Sequence, residues 1–381
     1  MKISIDFSIV TFFVFFISSC LGSFFRLVVD RYNTNESIVF KSSYCPSCKK
    51  NLRWWQNIPI LSFIFLSGKC FYCKSKININ SLYTELLTAI AGTAVFATSY
   101  LYNNSLEDIF VNLFLIMILI LLSTFDLKHR IIPHTITYSG IVFIIIFQLI
   151  FKRNGLTPFF NLGIALLMMD FLYVFSSVLK RFNIDENMIS ISLIAWSIFF
   201  FFNQSLYFLI FPVFLYFISL KIKVFSKFKI LSWLILFIIF SVQIFKLLFI
   251  EKDLNKIFLY LSSTGIIYFI CEIFTYLLGT LLLKRISKKS LNSDISREIQ
   301  PKITIGGGDI TVFALISVFF DYKIGFLTLF IASLLGIISH FIIRALKSFK
   351  KSSHGQVSQY IPFVPYLSVA CFIIMITING R

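Results

Sequence analysis

Long apolar segments recur from one end of the sequence to the other and restrict what this chain can fold into. A helix needs about 20 apolar residues to cross a bilayer. A soluble core could not enclose the 58% of residues that are apolar, because only 14% are charged and could cover it. The sequence therefore predicts an all-α polytopic membrane protein with about twelve transmembrane helices, of which 187–202 and 309–320 are short enough to be re-entrant. The predicted segments are 7–27, 82–102, 109–125, 132–151, 158–179, 187–202, 204–220, 229–250, 257–283, 309–320, 324–343 and 361–379.

The basic residues predict which side of the membrane each connection faces. If the first segment runs from outside to inside, 27 of the 35 Lys and Arg residues fall in cytoplasmic connections and eight fall outside. An excess of this kind is the positive-inside signal of multi-pass proteins, and it places the polar loop 28–81 in the cytoplasm. Anionic membrane lipids account for the net charge of +18, so we expect lipid contacts and no nucleic-acid partner.

The first segment also contains a sequence that resembles a lipoprotein cleavage site, at 17–20 (Ile-Ser-Ser-Cys). The residues before it carry only Lys2, which Asp6 opposes, whereas a targeting peptide carries net positive charge. We therefore expect an uncleaved first transmembrane helix.

Four cysteines stand in the one large polar loop, which we call the cysteine loop (residues 28–81). Cys45, Cys48, Cys70 and Cys73 form two C-x2-C pairs separated by 21 residues. Two such pairs can complete a tetrahedral shell of four thiolates around zinc. Disulfides are disfavoured in the cytoplasm, so structural zinc is our main interpretation, with a redox pair or unliganded thiols as the alternatives.

Two acidic residues stand at the ends of apolar segments on the predicted cytoplasmic side. Asp126 ends the third segment, and Asp309 opens the tenth after Gly306, Gly307 and Gly308. Two nearby carboxylates share one proton, so that one activates a water while the other polarises a peptide carbonyl. The three glycines would let an extended peptide approach the backbone closely. The pair therefore predicts peptide hydrolysis without a covalent intermediate.

Simpler interpretations of these acids stay open from the residues alone. Asp126 could be an ordinary interfacial residue, and Asp309 could be a helix N-cap after a flexible loop. Two further acids inside apolar segments, Asp170 and Glu272, could instead line a transport path. A secondary transporter is therefore one alternative, although no internal repeat of the kind that transporters carry is visible in the sequence.

Several motifs together resemble those of bacterial type IV prepilin peptidases, the aspartyl leader peptidases of the Gly-x-Gly-Asp type. The resemblance is most specific around the cysteines, over some 45 contiguous positions. The matching motifs are 21–25 (Leu-Gly-Ser-Phe-Phe), Arg31, 43–48 (Ser-Tyr-Cys-Pro-Ser-Cys), 52–62 (Leu-Arg-Trp-Trp-Gln-Asn-Ile-Pro-Ile-Leu-Ser), 68–70 (Gly-Lys-Cys), 85–89 (Glu-Leu-Leu-Thr-Ala), 125–127 (Phe-Asp-Leu), 132–133 (Ile-Pro), 306–309 and 361–367 (Ile-Pro-Phe-Val-Pro-Tyr-Leu).

The resemblance implies a function and a location. Asp126 and Asp309 match the catalytic aspartates of that family, which removes the leader of type IV prepilins or pseudopilins at the cytoplasmic face of the bacterial inner membrane. Many members also methylate the new N-terminus with S-adenosylmethionine. The chain would then consist of a first helix (1–27), the cysteine loop, helices bearing the first aspartate (82–151), four inserted helices (152–255) and helices bearing the Gly-x-Gly-Asp motif (256–381), with eight family-like helices in all.

The sequence departs from the family pattern at three motif positions. Thr311 replaces the usual Lys, His134 the usual Asp, and Val364 the usual Gly. Asp126 and Asp309 are also 183 positions apart, about three times the family's usual interval. A catalytically impaired scaffold that binds prepilins is therefore a second alternative to the active peptidase.

Overall fold

The structure is a computed structural model that describes residues 7–166 (without 33, 35, 39 and 153), the single positions 169 and 273, and residues 307–349 and 362–378. These residues form helices, turns and two isolated bridges, with no β-strand among them, which confirms the predicted all-α class. The predicted segments 187–202, 204–220, 229–250 and 257–283 lie outside the described residues, apart from position 273, as does most of 158–179.

The helices follow the apolar segments of the sequence. Helix α1 is separated from the next long helix by the cysteine loop, which holds a 3-10 turn at Trp54–Asn57 and the short helix α2. A π-helical turn, Gln148–Lys152, continues α5. The helices are α1 (Phe7–Arg31), α2 (Leu61–Phe65), α3 (Ile79–Leu101), α4 (Leu106–His129), α5 (His134–Phe147), α6 (Thr157–Leu166), α7 (Gly307–Phe319), α8 (Tyr322–Phe349) and α9 (Val364–Ile378).

Four stretches of the described part are long and apolar enough to cross a membrane. They are Phe7–Arg31, Leu106–His129, His134–Lys152 and Tyr322–Ile342, and α6, α7 and α9 are shorter apolar helices. Each coincides with a predicted segment, which supports the expectation of a membrane protein with several spanning helices. Helix α3, which follows the predicted segment 82–102, is not among these four. The total of twelve remains a prediction, because it includes segments outside the described residues.

The chain divides into two compact units, the first comprising Met1–Gly140 and Phe326–Arg381 and the second Ile141–Gly325. In the first unit, α1 packs along α3, and α4 packs against α3 and α9. Small residues allow the close approach of α1 and α3, because a Cβ atom added at Gly22 would come within 2.9 Å of the Glu85 Cα atom. Contacts of this kind are typical of helices that pack inside a bilayer.

In the second unit, α7 is enclosed along most of its length. Phe313 and Leu315 are completely buried in it. The Gln148 side-chain amide donates to the carbonyl oxygens of Val318 and Phe319, at 2.7 and 3.1 Å. These carbonyls belong to the last turn of α7, where no helical N–H remains to bond them. The π-helical turn therefore caps the helix that carries Asp309.

Candidate functional site

The two cysteine pairs form nearly identical knuckles. In the first, the Lys49 amide donates to the Cys45 carbonyl at 2.8 Å, and the Cys45 amide donates to the Lys50 carbonyl at 3.0 Å. The second repeats both bonds, with Lys74 and Ser75 bonded to Cys70 at 3.0 and 2.8 Å. Lys49 and Lys74 both have a φ of 59°, in the left-handed region. Each knuckle thus turns its two thiols toward the same side of the chain.

The structure brings the four predicted cysteine ligands together. All four Sγ atoms lie within 4.8 Å of one another, and those of Cys45 and Cys73 are 3.8 Å apart. Zinc–sulfur bonds of about 2.3 Å in a tetrahedron separate the sulfurs by about 3.8 Å. Cys45 and Cys70 are buried, whereas Cys73 is exposed. The donor set and its spacing fit a four-coordinate zinc ion.

The thiols of the cluster do not share one electrostatic environment. Burial raises the pKa of the Cys45 thiol, but backbone amides and the Ser75 hydroxyl that donate to its sulfur outweigh burial and lower the pKa to about 6. At Cys48 the Lys50 amide lowers the pKa, whereas burial and the neighbouring sulfurs outweigh it and raise the pKa to about 11. Thiolates this close together repel one another unless a cation lies between them.

The start of the cysteine loop is fastened to the end of α1 by one buried cation. The Arg31 guanidinium donates to the carbonyl oxygens of Ser37, Lys41 and Ser42 at 2.8, 2.8 and 3.0 Å. Arg31 is 7% exposed. Glu36 lies 3.8 Å from the Arg31 side chain and also accepts a hydrogen bond from the Tyr44 hydroxyl. These bonds set the direction in which the chain leaves the membrane helix.

A buried carboxylate fastens the middle of the loop. Glu85, in the second turn of α3, accepts a hydrogen bond from the Ile60 amide at 2.7 Å and is 7% exposed. Ile60 has a φ of 63°, a conformation that costs a β-branched residue energy and needs support from its surroundings. The hydrogen bond from Ile60 to Glu85 supplies that support and ties the start of α2 to α3.

Asp126 lies in the last turn of α4 and is buried. Its Oδ2 atom accepts a hydrogen bond from the Val364 amide at 3.1 Å. Val364 is the first residue of α9, where the backbone N–H groups have no partner within their own helix. The carboxylate of one helix therefore caps the N-terminus of another, 238 positions further along the chain.

A pair of serines strengthens the same contact between α4 and α9. The hydroxyls of Ser123 and Ser368 lie 2.6 Å apart, and Ser368 also bonds to the Leu119 carbonyl at 3.1 Å. Ser123 lies one turn before Asp126 on α4. We call these bonds, together with the Asp126 cap, the α4–α9 contact. It fixes the orientation of the acidic side chain.

The end of α4 also touches the end of α1. The Lys128 ammonium lies 2.6 Å from the Asp30 carboxylate, and the His129 ring nitrogen lies 2.8 Å from the Val29 carbonyl oxygen. Arg130 then ends α4 in the left-handed conformation, with a φ of 55°. Asp126 is therefore close to the point where the cysteine loop begins.

Asp309 lies in the first turn of α7 and is half-buried. Of the three predicted glycines, Gly307 and Gly308 belong to α7, and Gly306 lies outside the described residues, as do Asp170 and Glu272. Asp126 belongs to the first compact unit and Asp309 to the second, and the structure describes each within its own unit.

A cavity of 560 Å³ lies between α1 and the cysteine loop. Side chains of both charge signs line it, among them Arg26, Asp30 and Glu36. Asp30 is also the partner of Lys128 in α4, so the cavity adjoins the helix that carries Asp126. Its volume falls within the range of about 300–1,000 Å³ that is usual for small-molecule sites.

Comparison with known proteins gives a consistent answer for the first part of the chain. Residues 16–99 match the model of the bacterial peptidase A24 N-terminal domain. Curated relatives carry the name prepilin leader peptidase/N-methyltransferase. The protein of Myxococcus xanthus is 35% identical over 130 residues, which cover 34% of this chain and 38% of that protein. The protein of Vibrio cholerae is 30% identical over 151 residues, which cover 37% of this chain and 56% of that protein.

The resemblance found in the sequence is thereby confirmed. Over its first part, the chain is similar to the bacterial prepilin leader peptidases. A third relative, from Bacillus subtilis, is 31% identical over 137 residues, 36% of this chain and 54% of that protein. The chain thus spans only about 40 to 55% of the length of these relatives. No solved structure matches it.

The structure gives physical accounts of the three departures from the leader peptidase pattern. Val364 contacts Asp126 through its backbone amide, so replacing Gly leaves this donor in place. Thr311 is buried, and its hydroxyl donates to the Gly308 carbonyl at 2.8 Å, which closes the first turn of α7. His134 begins α5 and stacks on the Tyr138 ring, with 5.6 Å between ring centroids.

Sequence reasoning missed several residues that build the site. The sequence indicated Arg31 and Glu85 only as members of motifs that resemble those of prepilin peptidases. It did not indicate that they anchor the cysteine loop. It did not single out Ser75, whose hydroxyl lies 3.1 Å from the Cys73 sulfur. Ser123 and Ser368 were also missed, although polar residues inside apolar segments are a general signal of contacts between membrane helices.

Proposed function

We propose that this protein is a membrane-embedded aspartyl endopeptidase that removes the leader of type IV prepilins or pseudopilins. The observation that carries the proposal is the carboxylate of Asp126, which is enclosed at the end of an apolar span and held by the amide of Val364. The similarity to prepilin leader peptidases over residues 16–99 supports the choice of substrate. A buried acid at the edge of a span is a candidate functional group by default, because it is costly to place there.

In the proposed reaction, Asp126 and Asp309 act as a pair that shares one proton. The ionised carboxylate takes a proton from water, whose oxygen bonds to the carbon of the scissile peptide. The protonated carboxylate donates a hydrogen bond to the carbonyl oxygen while negative charge develops there. The carbon–nitrogen bond then breaks, and the leaving amine takes up the proton. The glycines 306–308 would admit the extended peptide beside Asp309.

We propose that Cys45, Cys48, Cys70 and Cys73 hold a structural zinc ion. The spacing of their sulfurs and the repeated knuckles support this assignment. When bound, the zinc would crosslink the two halves of the loop and offset part of the negative charge of the four thiolates, without a part in hydrolysis. Five lysines near the cluster (Lys41, Lys49, Lys50, Lys69 and Lys74) would offset its remaining negative charge.

We further propose methylation of the new N-terminus, with S-adenosylmethionine bound in the cavity between α1 and the loop. The cavity suits a ligand of that size that carries both charge signs, because it is lined by Arg26 and by the carboxylates Asp30 and Glu36, which are ion-paired with Arg26 and Lys41. The ligand would supply a methyl group to the amine that hydrolysis releases. The ion pair between Asp30 and Lys128 would keep this cavity beside the helix of Asp126.

The proposed topology is that of a multi-pass protein of the bacterial inner membrane with its cysteine loop in the cytoplasm. The distribution of basic residues supports this orientation. Twelve helices, four of them inserted within 152–255, are part of the same proposal. An even number of inserted helices would return Asp309 to the face on which Asp126 lies.

Co-expression with a prepilin tests the peptidase proposal. The intact mass of the prepilin reports the loss of the leader and the gain of a methyl group together. We expect the natural protein to remove the leader and the Asp126→Asn and Asp309→Asn variants to leave it in place while still inserting into the membrane. Asp108→Asn and Asp321→Asn are matched controls that should process normally. Full processing by either catalytic variant, or none by the natural protein, would contradict the proposal, and the second outcome would favour a scaffold.

The cofactor assignment has a separate test by equilibrium dialysis of S-adenosylmethionine against the purified protein. Ser23 of α1 lines the cavity, so Ser23→Leu should weaken binding and methylation and leave removal of the leader intact. Ser8→Leu, at an exposed position of the same helix, should change neither. Equal binding by the Ser23→Leu variant and the natural protein would overturn the assignment.

A further inference from the structure

An apolar stretch interrupts the polar cysteine loop and has no role in the proposed catalysis or metal binding. Residues 58–66 read Ile-Pro-Ile-Leu-Ser-Phe-Ile-Phe-Leu. Within it, α2 exposes Leu61, Ile64 and Phe65, with 44, 62 and 77% of each residue accessible. These positions are spaced i, i+3 and i+4, so they form one face of the helix. Three large exposed apolar side chains on one face of so short a helix call for a partner.

The anchoring of α2 shows how deep this face lies. Its N-terminal neighbour Ile60 is hydrogen-bonded to Glu85, six residues after the start of α3. On the other side of Glu85, α1 approaches at Gly22, which lies nine residues before α1 ends at Arg31. At 1.5 Å per residue, this level is about 9 Å inside the end of α3 and about 13 Å inside the end of α1. The start of α2 therefore lies beside α1 and α3 rather than beyond their ends.

The side chains around α2 are those that a bilayer surface selects. Arg53 and Lys69 flank the segment and are exposed, and the neighbouring Trp54 is 81% exposed. Basic residues are drawn to anionic headgroups, and Trp is enriched at the boundary between headgroups and acyl chains. An apolar face bordered by such residues is the pattern of an element that lies in the plane of the interface.

We propose that α2 is an interfacial helix whose Leu61, Ile64 and Phe65 side chains insert into the leaflet on the side of the cysteine loop. Its partner is the lipid surface itself. The hydrogen bond between Ile60 and Glu85 holds the helix at the depth at which its apolar face meets acyl chains. The membrane thus becomes a fourth support of the loop, beside the Arg31 bonds, the bond between Ile60 and Glu85 and the cysteine cluster.

Photocrosslinking of the full chain in nanodiscs tests this proposal. The photoreactive residue p-benzoylphenylalanine replaces Phe65 or Ile64, and the nanodiscs contain phosphatidylethanolamine and phosphatidylglycerol. Leu87 is 58% exposed on α3, within the predicted transmembrane segment 82–102, and is the positive control that we expect to contact lipid. Phe40 is the matched aromatic control within the loop. It is 92% exposed and precedes Lys41, whose carbonyl oxygen accepts a hydrogen bond from Arg31 at the end of α1.

We expect phospholipid adducts at positions 64 and 65 with yields within about twofold of the yield at position 87. The yield at position 40 should be at least about tenfold lower than the yields at 64 and 65. Mass spectrometry of the irradiated protein measures these yields. Three results would overturn the proposal. The first is that positions 64 and 65 crosslink only to protein, whether this chain, a second copy or a co-purified substrate. The second is that positions 64 and 65 give no adduct while position 87 reacts. The third is that positions 40 and 65 give equal yields of lipid adduct.

Discussion

The cysteine cluster and the α4–α9 contact hold the protein together in opposite ways. The cluster draws its ligands from Cys45 to Cys73, and its knuckles are closed by hydrogen bonds between residues four or five positions apart. The α4–α9 contact joins Asp126 to Val364 and Ser123 to Ser368, pairs that are 238 and 245 positions apart. The first is organised by local turns that lack a core of their own, and the second by the packing of long apolar helices.

This difference predicts that the two regions respond to different perturbations. Structural zinc sites contribute on the order of 10 kcal/mol to the folding of small domains, because the site does not exist in the unfolded chain. The α4–α9 contact lies between apolar helices and needs no metal. Loss of metal should therefore release the loop and spare the helices, whereas loss of a serine should loosen the helices and spare the loop.

The largest effect is expected from removing the proposed zinc ion. Chelation, or the Cys70→Ser variant, should unfold the cysteine loop, because the four sulfurs then have only short-range hydrogen bonds to hold them. Hydrogen exchange of the amides from 43 to 77 should rise by several orders of magnitude, while the amides of α4 and α9 keep their protection. Cys20→Ser, a cysteine outside the cluster, is the control. Unchanged exchange in the loop after chelation would remove zinc from the account.

A smaller effect is expected at the point where the loop leaves α1. Arg31→Met would leave three carbonyl oxygens without their charged donor, at a cost of about 3 kcal/mol. Exchange should then rise in residues 36–44 and stay unchanged in α9.

Lys76→Met, at an exposed position of the same loop, should change exchange little. Equal effects of the Arg31 and Lys76 variants would mean that the guanidinium bonds contribute nothing to the loop.

The serine pair should give a smaller change still. Hydrogen bonds between membrane helices are worth about 0.6 kcal/mol on average and up to about 1.7 kcal/mol. Ser123→Ala, Ser368→Ala and the double variant form a cycle that isolates this term. Unfolding in mixed micelles should show coupling of this size, whereas strictly additive losses would show that the two hydroxyls act independently.

The smallest effect concerns acidification of the loop. The Lys41 ammonium and the Tyr44 hydroxyl bond to Glu36 and lower the pKa of this half-buried carboxyl below its usual value. A lowered folded-state pKa contributes stability above the unfolded-state pKa, and that stability is lost as the pH falls through the folded-state pKa. Exchange of the Glu36 region should thus rise slightly below about pH 4.3, where an unperturbed Glu titrates.

The Glu36→Gln variant should remove this pH dependence. Glu107, which is exposed in the first turn of α4, provides the matched Glu107→Gln control. An identical acid response in the Glu36→Gln variant and the natural protein would contradict the role given to this carboxyl.

The contrast between local turns and long-range packing also explains which features could be predicted from the sequence. The C-x2-C spacing predicted the cysteine cluster, because each pair is closed by its own turn and needs no distant partner. The apolar segments predicted the helices for a similar reason, since length and composition decide whether a segment crosses a bilayer.

The cap on Asp126 could not be predicted in this way. Nothing near Asp126 in sequence indicates that the Val364 amide will bond to it, because that contact depends on how α4 and α9 pack. The hydrogen bonds by which Arg31 and Glu85 anchor the loop could not be predicted either. Their partners are backbone groups of an irregular loop, and no side-chain pattern reveals backbone hydrogen bonds.

The central claim is that Asp126 and Asp309 form one catalytic unit, and the rate of leader cleavage by purified protein in lipid tests it most directly. The two single Asn variants and the double variant are compared with the natural protein. Because neither carboxylate can complete the reaction alone, each single variant should be slower by at least about 100-fold and the double variant no slower than the singles. A single variant that keeps the natural rate, or losses that multiply in the double variant, would contradict the account.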